Sequence, residues 1–177
     1  MSDGRAACPP PRGRHRARTW HHGAVTHTTA RIVTVARDVA APAGVLFELI
    51  ADPAQQPRWD GNDNLAEAAP GQRVHAIGDV FTMTLTNGAV RENHVVAFTE
   101  GREIVWQPAE EGERPPGHTW GWFLEPLDAG RTLVTHVYDW TGLQDETRRA
   151  TARATTAEKL RASLDRLAVL AEEGGGP

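Results

Sequence analysis

The order of hydrophobic and polar positions predicts one strand, two short helices, a run of strands and a closing helix. The first strand is expected at 30–39, a segment rich in β-branched residues. A helix is expected after Pro42, because proline suits the first turn and the apolar residues that follow recur at helical spacing. The capping box Asp52–Gln55 predicts a second short helix, which ends near Trp59.

Alternation with a period of two predicts six further strands. The segment 79–86, DVFTMTLT, places Phe81, Met83 and Leu85 on one face and threonines on the other. Asn87-Gly88 is a strong signal for a tight hairpin turn after it. The remaining strands are expected at 64–69, 89–99, 103–107, 118–127 and 131–141.

The last segment predicts an amphipathic helix that ends at the glycines 174–176. Its apolar stripe consists of Ala157, Leu160, Leu164, Leu167 and Ala171. Two starts stay open: Thr155, which can form a capping box with Glu158, or a position upstream near Glu146. An antiparallel sheet followed by one long helix defines the fold class as α+β.

Charge divides the chain near residue 28. Residues 1–28 hold five arginines and one aspartate among prolines and glycines, so we expect a disordered basic extension before a domain at 29–173. Residues 174–177 are expected to be a flexible tail. The extension is either a basic arm for RNA or an acidic partner, or a dispensable segment. The rest of the chain holds 14 basic against 22 acidic side chains, which argues against nucleic-acid binding.

Several function classes lose support because their sequence signals are missing. No apolar run approaches the roughly 18 residues of a membrane span, and no apolar segment follows the N-terminal arginines. We therefore expect no membrane insertion and, by default, a cytoplasmic location. The lone Cys8 cannot form an internal disulfide or a cysteine zinc site. Metal, serine-nucleophile and phosphate-loop motifs are also absent from the sequence, so we expect no metal and no cofactor.

Three strings carry a resemblance to a known family: RDVAAPAGVLFELIADPAQQPRW, VVAFTEGREIVW and WGWFLEPLDAGRTLVTHVYDWTG. They resemble the START-like (SRPBCC) superfamily, specifically its bacterial polyketide cyclase/dehydrase and lipid-transport family, over about residues 29–173. The resemblance implies the helix-grip fold, in which a curved antiparallel sheet wraps around a long C-terminal helix. It also implies a cavity for a hydrophobic or aromatic small molecule. The family shares no single catalytic signature, so no residue role transfers by position.

The predicted hairpin 118–140 is the best candidate for a wall of that cavity. Alternation and strand pairing place its tryptophans, histidines and tyrosine on one shared face. Such a surface suits a planar apolar ligand, although the same stripe could instead be core beneath the closing helix. The predicted ligand contacts are Trp120, Trp122, His118, Trp140, Phe81, Met83 and Phe98.

Three functions stay open at this point. The first is binding of a hydrophobic, aromatic or polyketide-like small molecule in an internal cavity. The second is a cofactor-free polyketide cyclase or dehydratase, in which His136 or His94 is the general acid/base and Tyr138 donates a hydrogen bond to a developing enolate. The third is an interaction module resembling chaperone-ATPase activators. A homodimer is also open.

Overall fold

An eight-stranded antiparallel sheet faces one long C-terminal helix. The computed structural model describes residues 25–29 and 31–174. The strands are β1 Val25–Thr29, β2 Ile32–Val39, β3 Leu65–Glu67, β4 Val80–Leu85, β5 Val90–Thr99, β6 Glu103–Glu110, β7 Thr119–Asp128 and β8 Arg131–Asp139. The helices are α1 Ala43–Ala51, a 3-10 turn Pro53–Gln55, α2 Gln56–Trp59, α3 Glu146–Arg153 and α4 Ala157–Gly174. This arrangement confirms the predicted α+β helix-grip fold.

The sheet follows the order β1-β2-β8-β7-β6-β5-β4-β3, and every neighbouring pair is antiparallel. Strands β3 to β8 pair in chain order, as short hairpins favour. Strand β2 returns beside β8, so α1 and α2 must connect strands that lie far apart in the sheet. Helix α4 packs on β2, α1 and α2, which closes the structure on one side.

The buried face of α4 is the one that the sequence predicted. Leu160, Leu164, Leu167 and Ala171 are all buried, whereas Ala157 lies at the edge and is only partly buried. Each buried leucine contributes about 1.5–3 kcal/mol relative to an exposed one. The stripe therefore supplies much of the free energy that holds the helix against the sheet. Among the described residues, no helix is long and apolar enough to cross a membrane.

Two element predictions were incomplete at the termini. Residues 25–28, predicted to be disordered, belong to β1, which forms a hairpin with β2. The segment VTHTT has high β-propensity but no apolar alternation, so its pairing with β2 could not be predicted from the pattern. The rest of the predicted extension, 1–24, lies outside the described residues, as do residues 175–177 of the predicted tail. Gly174 is the last residue of α4.

The predicted closing helix is two helices, α3 and α4. The two alternative starts that the sequence left undecided correspond to one helix each. Helix α3 begins at Glu146, where the Asp145 side chain caps the helix by accepting a hydrogen bond from the Thr147 N–H. Helix α4 begins at Ala157, close to the other expected start. The break lies between Arg153 and Ala157.

A β-bulge in β5 makes one face assignment wrong. Val95 pairs with Trp106 and Ala97 with Val105, so Val96 has no direct partner. The extra residue reverses the alternation from that point onward. Uninterrupted alternation would place Phe98 on the face of His94, but Phe98 packs inward against the core instead. A local bulge leaves no mark in hydrophobic alternation.

Gly61 gives a direct test of how α4 seats on the helix pair. Its N–H donates to Ser163 Oγ at 2.8 Å, and an added Cβ would lie 2.5 Å from the backbone N of Ser163. Since backbone cannot move aside cheaply, Gly61→Ala should lower the free energy of unfolding by about 1–3 kcal/mol or more. Urea denaturation measures the change.

Gly44→Ala is the matched control, because an added Cβ at Gly44 in α1 meets no atom within 4 Å. It should be neutral or stabilise by up to about 1 kcal/mol, since alanine is the better helix former. Equal destabilisation by both substitutions would contradict the close contact at Gly61.

Candidate functional site

A cavity of about 610 Å³ lies between the sheet and the helices. Strands β4 to β8 supply one wall, and α2, α3 and α4 supply the other. Its volume falls within the roughly 300–1,000 Å³ that small-molecule sites occupy. Trp120 and Trp122 therefore line this space without filling it.

The hairpin β7–β8 forms an aromatic ladder along the cavity. Register pairs Trp122 with His136 and Trp120 with Tyr138. Trp122 stacks on His136 with ring centroids 3.7 Å apart and planes 11° from parallel. Trp120 lies 5.6 Å from His136 and 4.3 Å from Tyr138. Each ring is held by its neighbours, so the wall is rigid and apolar.

Trp59 closes this wall from the helix side. Its ring meets Trp122 edge to face at 5.1 Å, and its indole N–H donates to the Leu49 carbonyl at 2.9 Å. Trp59 is buried and lines the cavity. It therefore fixes α2 against the sheet.

Six of the predicted site residues line the cavity. They are Trp120, Trp122, His118, Met83, His136 and Tyr138. Strand alternation brings them together, because inward positions of paired strands share one face. Their role in binding or catalysis remains a prediction.

Three predicted ligand contacts belong to the core or the periphery and do not line the cavity. Phe81 packs edge to face on Trp106 at 5.6 Å. Phe98 packs on Phe47 at 5.9 Å, inside the core beneath α1. Trp140 lies just after β8, buried with the guanidinium groups of Arg31 and Arg153 over its ring.

His94 is separate from the cavity as well. His94 directly follows Asn93, which is buried and lines the cavity. Because successive side chains of a strand point to opposite faces, His94 lies on the other face of β5. Its Nε2 lies 3.8 Å from Glu92 Oε2. This placement removes His94 from the candidate acid/base groups.

His136 is a neutral imidazole of defined tautomer. Its Nδ1 lies 3.0 Å from the Gly121 carbonyl, which can only accept, so Nδ1 carries the proton and Nε2 is left as an acceptor. Burial lowers the pKa of His136 to about 4, although the carbonyl bond opposes this shift. The ring is therefore uncharged at neutral pH.

Tyr138 and His118 lie side by side, with ring centroids 5.8 Å apart. Burial raises the pKa of Tyr138 to about 12, and a hydrogen bond to the Thr155 side chain partly offsets this. Burial, together with the nearby cations of Arg148 and Arg91, lowers the pKa of His118 to about 4. Tyr138 thus stays protonated and His118 stays neutral near pH 7.

Two buried N–H donors on the cavity wall have no partner among the described residues. They are Gln56 Nε2 and Trp122 Nε1. A buried donor without a partner costs about 1–3 kcal/mol. The buried carboxylate of Asp60 accepts from the backbone N–H groups of Asn62 and Asn64 and not from either of these two donors. The two buried groups without a partner at this end of the cavity are therefore both donors.

The other end of the cavity carries charge. Arg148 of α3 binds Glu110 of β6 at 2.6 Å and approaches Asp145 at 3.4 Å. Arg91 of β5 also lines this end. Among the described residues, no three His, Cys, Asp or Glu side chains are grouped to hold a metal ion.

Three polar residues of the cavity wall were not predicted: Gln56, Arg91 and Arg148. Gln56 precedes Trp59 by about one helical turn, so the spacing could have predicted that both side chains lie on the same face of α2. Arg91 lies two residues before Asn93 on β5, so both side chains share one face of the strand. Arg91 also pairs with Met83, so the register of β4 and β5 would have placed it inward. Arg148 lies on α3, whose separation from α4 was not predicted.

Sequence and structure comparisons identify relatives of two kinds. The chain is 30% identical over 105 residues to the uncharacterized protein Rv0088 of Mycobacterium tuberculosis. That match covers 58% of this chain and 45% of the relative, so it spans less than half of the relative's length.

Two solved structures share the fold. The Zhui aromatase/cyclase of Streptomyces sp. R1128 superposes with a TM-score of 0.60 at 18% identity, covering 83% of this chain and 99% of that one. Protein Ms6760 of Mycobacterium smegmatis gives 0.60 at 17% identity, covering 86% and 98%. At these identities the likeness concerns the fold alone.

Nearly the whole folded region matches a single family model. The match runs over residues 30–172, from just before β2 to the last turn of α4. It includes every strand from β2 to β8 and all of the cavity wall. The chain therefore belongs to the polyketide cyclase/dehydrase and lipid transport family.

Proposed function

We propose that this protein binds a flat, largely apolar and polyketide-like small molecule in the 610 Å³ cavity. The observation that carries the proposal is a rigid aromatic ladder beside a space that its own side chains leave open. Stacking on Trp120 would add to the free energy of burying the ligand's apolar surface. The ladder rings are already fixed by one another, so binding costs little side-chain entropy.

The unpaired donors refine the chemistry of the ligand. Gln56 Nε2 and Trp122 Nε1 both need an acceptor, and a carbonyl or hydroxyl oxygen supplies one. Polyketide-derived molecules combine such oxygens with flat apolar frames. The family name and the aromatase/cyclase among the structural neighbours support this class of ligand.

A cofactor-free cyclase or dehydratase is the second candidate. It is favoured because His136 and Tyr138 lie two residues apart on β8 and line the same wall of the cavity. Neutral His136 has an acceptor at Nε2, and Tyr138 keeps a proton to donate to a developing enolate. A pKa of about 4 makes His136 a weak base at neutral pH. Ligand binding therefore has the stronger support.

The interaction-module alternative stays a prediction. The expected homodimer and the cytoplasmic location also stay predictions.

The first test fills the cavity. Leu85 is half-buried at the cavity wall, so Leu85→Trp places extra volume inside with little strain. We expect it to weaken binding of N-phenyl-1-naphthylamine, an uncharged fluorescent aromatic probe, by about tenfold or more, equivalent to 1.4 kcal/mol. Fluorescence titration measures the dissociation constant.

Leu127→Trp is the control, because Leu127 is exposed on β7 and does not line the cavity. It makes the same substitution and should leave the affinity unchanged. Wild-type protein that fails to bind the probe, or Leu85→Trp protein that binds it equally well, would overturn the proposed function.

The second test concerns the unpaired amide of Gln56. Gln56→Leu should weaken binding of anthraquinone by about five- to tenfold, because a buried hydrogen bond to a ligand carbonyl is lost. Binding of anthracene, the same frame without carbonyls, should be unchanged. Quenching of tryptophan fluorescence measures both affinities. Gln107→Leu on β6, outside the cavity wall, is the control and should affect neither ligand. An equal loss for both ligands would reject the hydrogen bond.

The third test concerns the neutral state of His136. Its pKa is about 4 when folded and returns to about 6.5 on unfolding, so the unfolded chain binds more protons between these values. The free energy of unfolding should therefore fall as the pH falls from 6.5 to 4, on the order of 3 kcal/mol for this residue. Urea denaturation across this range measures the fall.

His136→Asn should flatten this pH dependence, leaving the contribution of His118 and of the carboxylates. His75→Gln is the control, since His75 is exposed, and it should keep the wild-type profile. If the profile of His136→Asn overlays that of the wild type, His136 is not held neutral by burial.

A further inference from the structure

The charged end of the cavity contains one cation whose hydrogen-bonding capacity is almost unused. Arg91 is partly buried on the inward face of β5 and lines the cavity. Within residues 31–174 it makes a single hydrogen bond, from Nη1 to the carbonyl of Val90 at 3.1 Å. A guanidinium has five N–H donors in a planar fork. Most of this fork is therefore free for a molecule inside the cavity.

The second arginine at this end is in the opposite situation. Arg148 is neutralised by Glu110 at 2.6 Å and by Asp145 at 3.4 Å. Glu110 is also the cross-strand partner of Arg91, yet its carboxylate is engaged by Arg148. In the described part of the chain no carboxylate forms a salt bridge with Arg91. Its guanidinium therefore lacks a direct carboxylate partner within the described residues.

His118 provides a second, independent observation at the same end. Its Nδ1 is buried and has no hydrogen-bond partner among the described residues. Its ring packs against Tyr138, which places it at the end of the aromatic ladder. Arg91 lies close enough for its charge to disfavour protonation of this ring. A neutral imidazole can carry its proton on Nδ1 and donate it to an anion.

We propose that the ligand is an aromatic organic acid, and that its anionic group binds the Arg91 guanidinium beside His118. This inference rests on the proposed function and adds the acidic group to it. A carboxylate matches the planar fork of an arginine with two parallel hydrogen bonds. The aromatic body then lies along Trp120 toward Trp122 and Gln56, where an oxygen acceptor meets the two unpaired donors.

The arrangement favours an acid over a neutral ligand for an electrostatic reason. A guanidinium enclosed by a ligand loses part of its hydration, and a neutral apolar molecule returns nothing for that loss. An anion restores the lost interaction, and the low dielectric of the cavity strengthens the attraction. The same position would be unfavourable for a cationic ligand.

Two fluorescent probes with one aromatic skeleton test the inference. 8-Anilinonaphthalene-1-sulfonate carries an anionic group, and N-phenyl-1-naphthylamine is the same molecule without it. We expect Arg91→Gln to weaken binding of the sulfonate by about tenfold or more, since a charge-assisted pair is lost. Binding of the uncharged probe should stay within about twofold. Arg91→Lys should fall between, because it keeps the charge and loses the fork.

Arg102→Gln is the matched control, because Arg102 is exposed in the turn between β5 and β6 and is not part of the cavity wall. It removes the same charge and should leave both affinities unchanged. Raising the salt concentration should weaken sulfonate binding in the wild type and much less in Arg91→Gln.

Three results would overturn the inference. Arg91→Gln could leave the sulfonate affinity unchanged, weaken both probes equally, or have no more effect than Arg102→Gln. Circular dichroism and thermal melting of each variant identify loss of folding, and Arg91→Lys then decides whether the charge matters. Failure of the proposed function gives a different result, in which the uncharged probe does not bind or is unaffected by Leu85→Trp.

Discussion

The stacking of Trp122 on His136 is the contact on which the site depends. Trp122 is fully buried, pairs with His136 across β7 and β8, and meets Trp59 of α2 edge to face. One side chain therefore joins the sheet, the helix pair and the cavity. It also helps to exclude water from His136, so the same packing that builds the wall keeps the imidazole uncharged. Loss of this ring would disturb fold, cavity and electrostatics together.

The walls of the cavity differ in how firmly they are held. On the hairpin side, backbone pairing and ring stacking fix every aromatic side chain. On the other side, α3 buries only Ala152 and is tied to β6 by the partly exposed pair of Arg148 and Glu110. Exposed ion pairs contribute about 0–1 kcal/mol. Local opening should therefore cost least at α3, because opening follows the elements with the fewest buried apolar contacts.

The alternation of side chains along β-strands explains which parts of the cavity could be predicted from the sequence. Strand alternation correctly placed Trp120, Trp122, His136 and Tyr138 on one surface, because side chains of paired strands must share faces. It misplaced Phe98, since one bulge residue reverses the alternation without changing the composition. The unpaired donors of Gln56 and Trp122 could not be predicted from the sequence either. Whether a polar group is satisfied depends on contacts between distant segments, such as α2 and β7, and not on local pattern.

Three cavity residues share one chemical feature. Gln56, Trp122 and Arg91 all present N–H donors, while the nearby carboxylates of Asp60 and Glu110 are already bound by other residues. The donors of Gln56 and Trp122 destabilise the protein when no acceptor meets them, because burial removes their water partners. Unsatisfied polar groups of this kind are expected at functional sites, where a bound ligand supplies the missing hydrogen bonds. An occupant rich in oxygen acceptors would recover that free energy on binding, so the same groups that weaken the empty fold provide affinity and select the ligand.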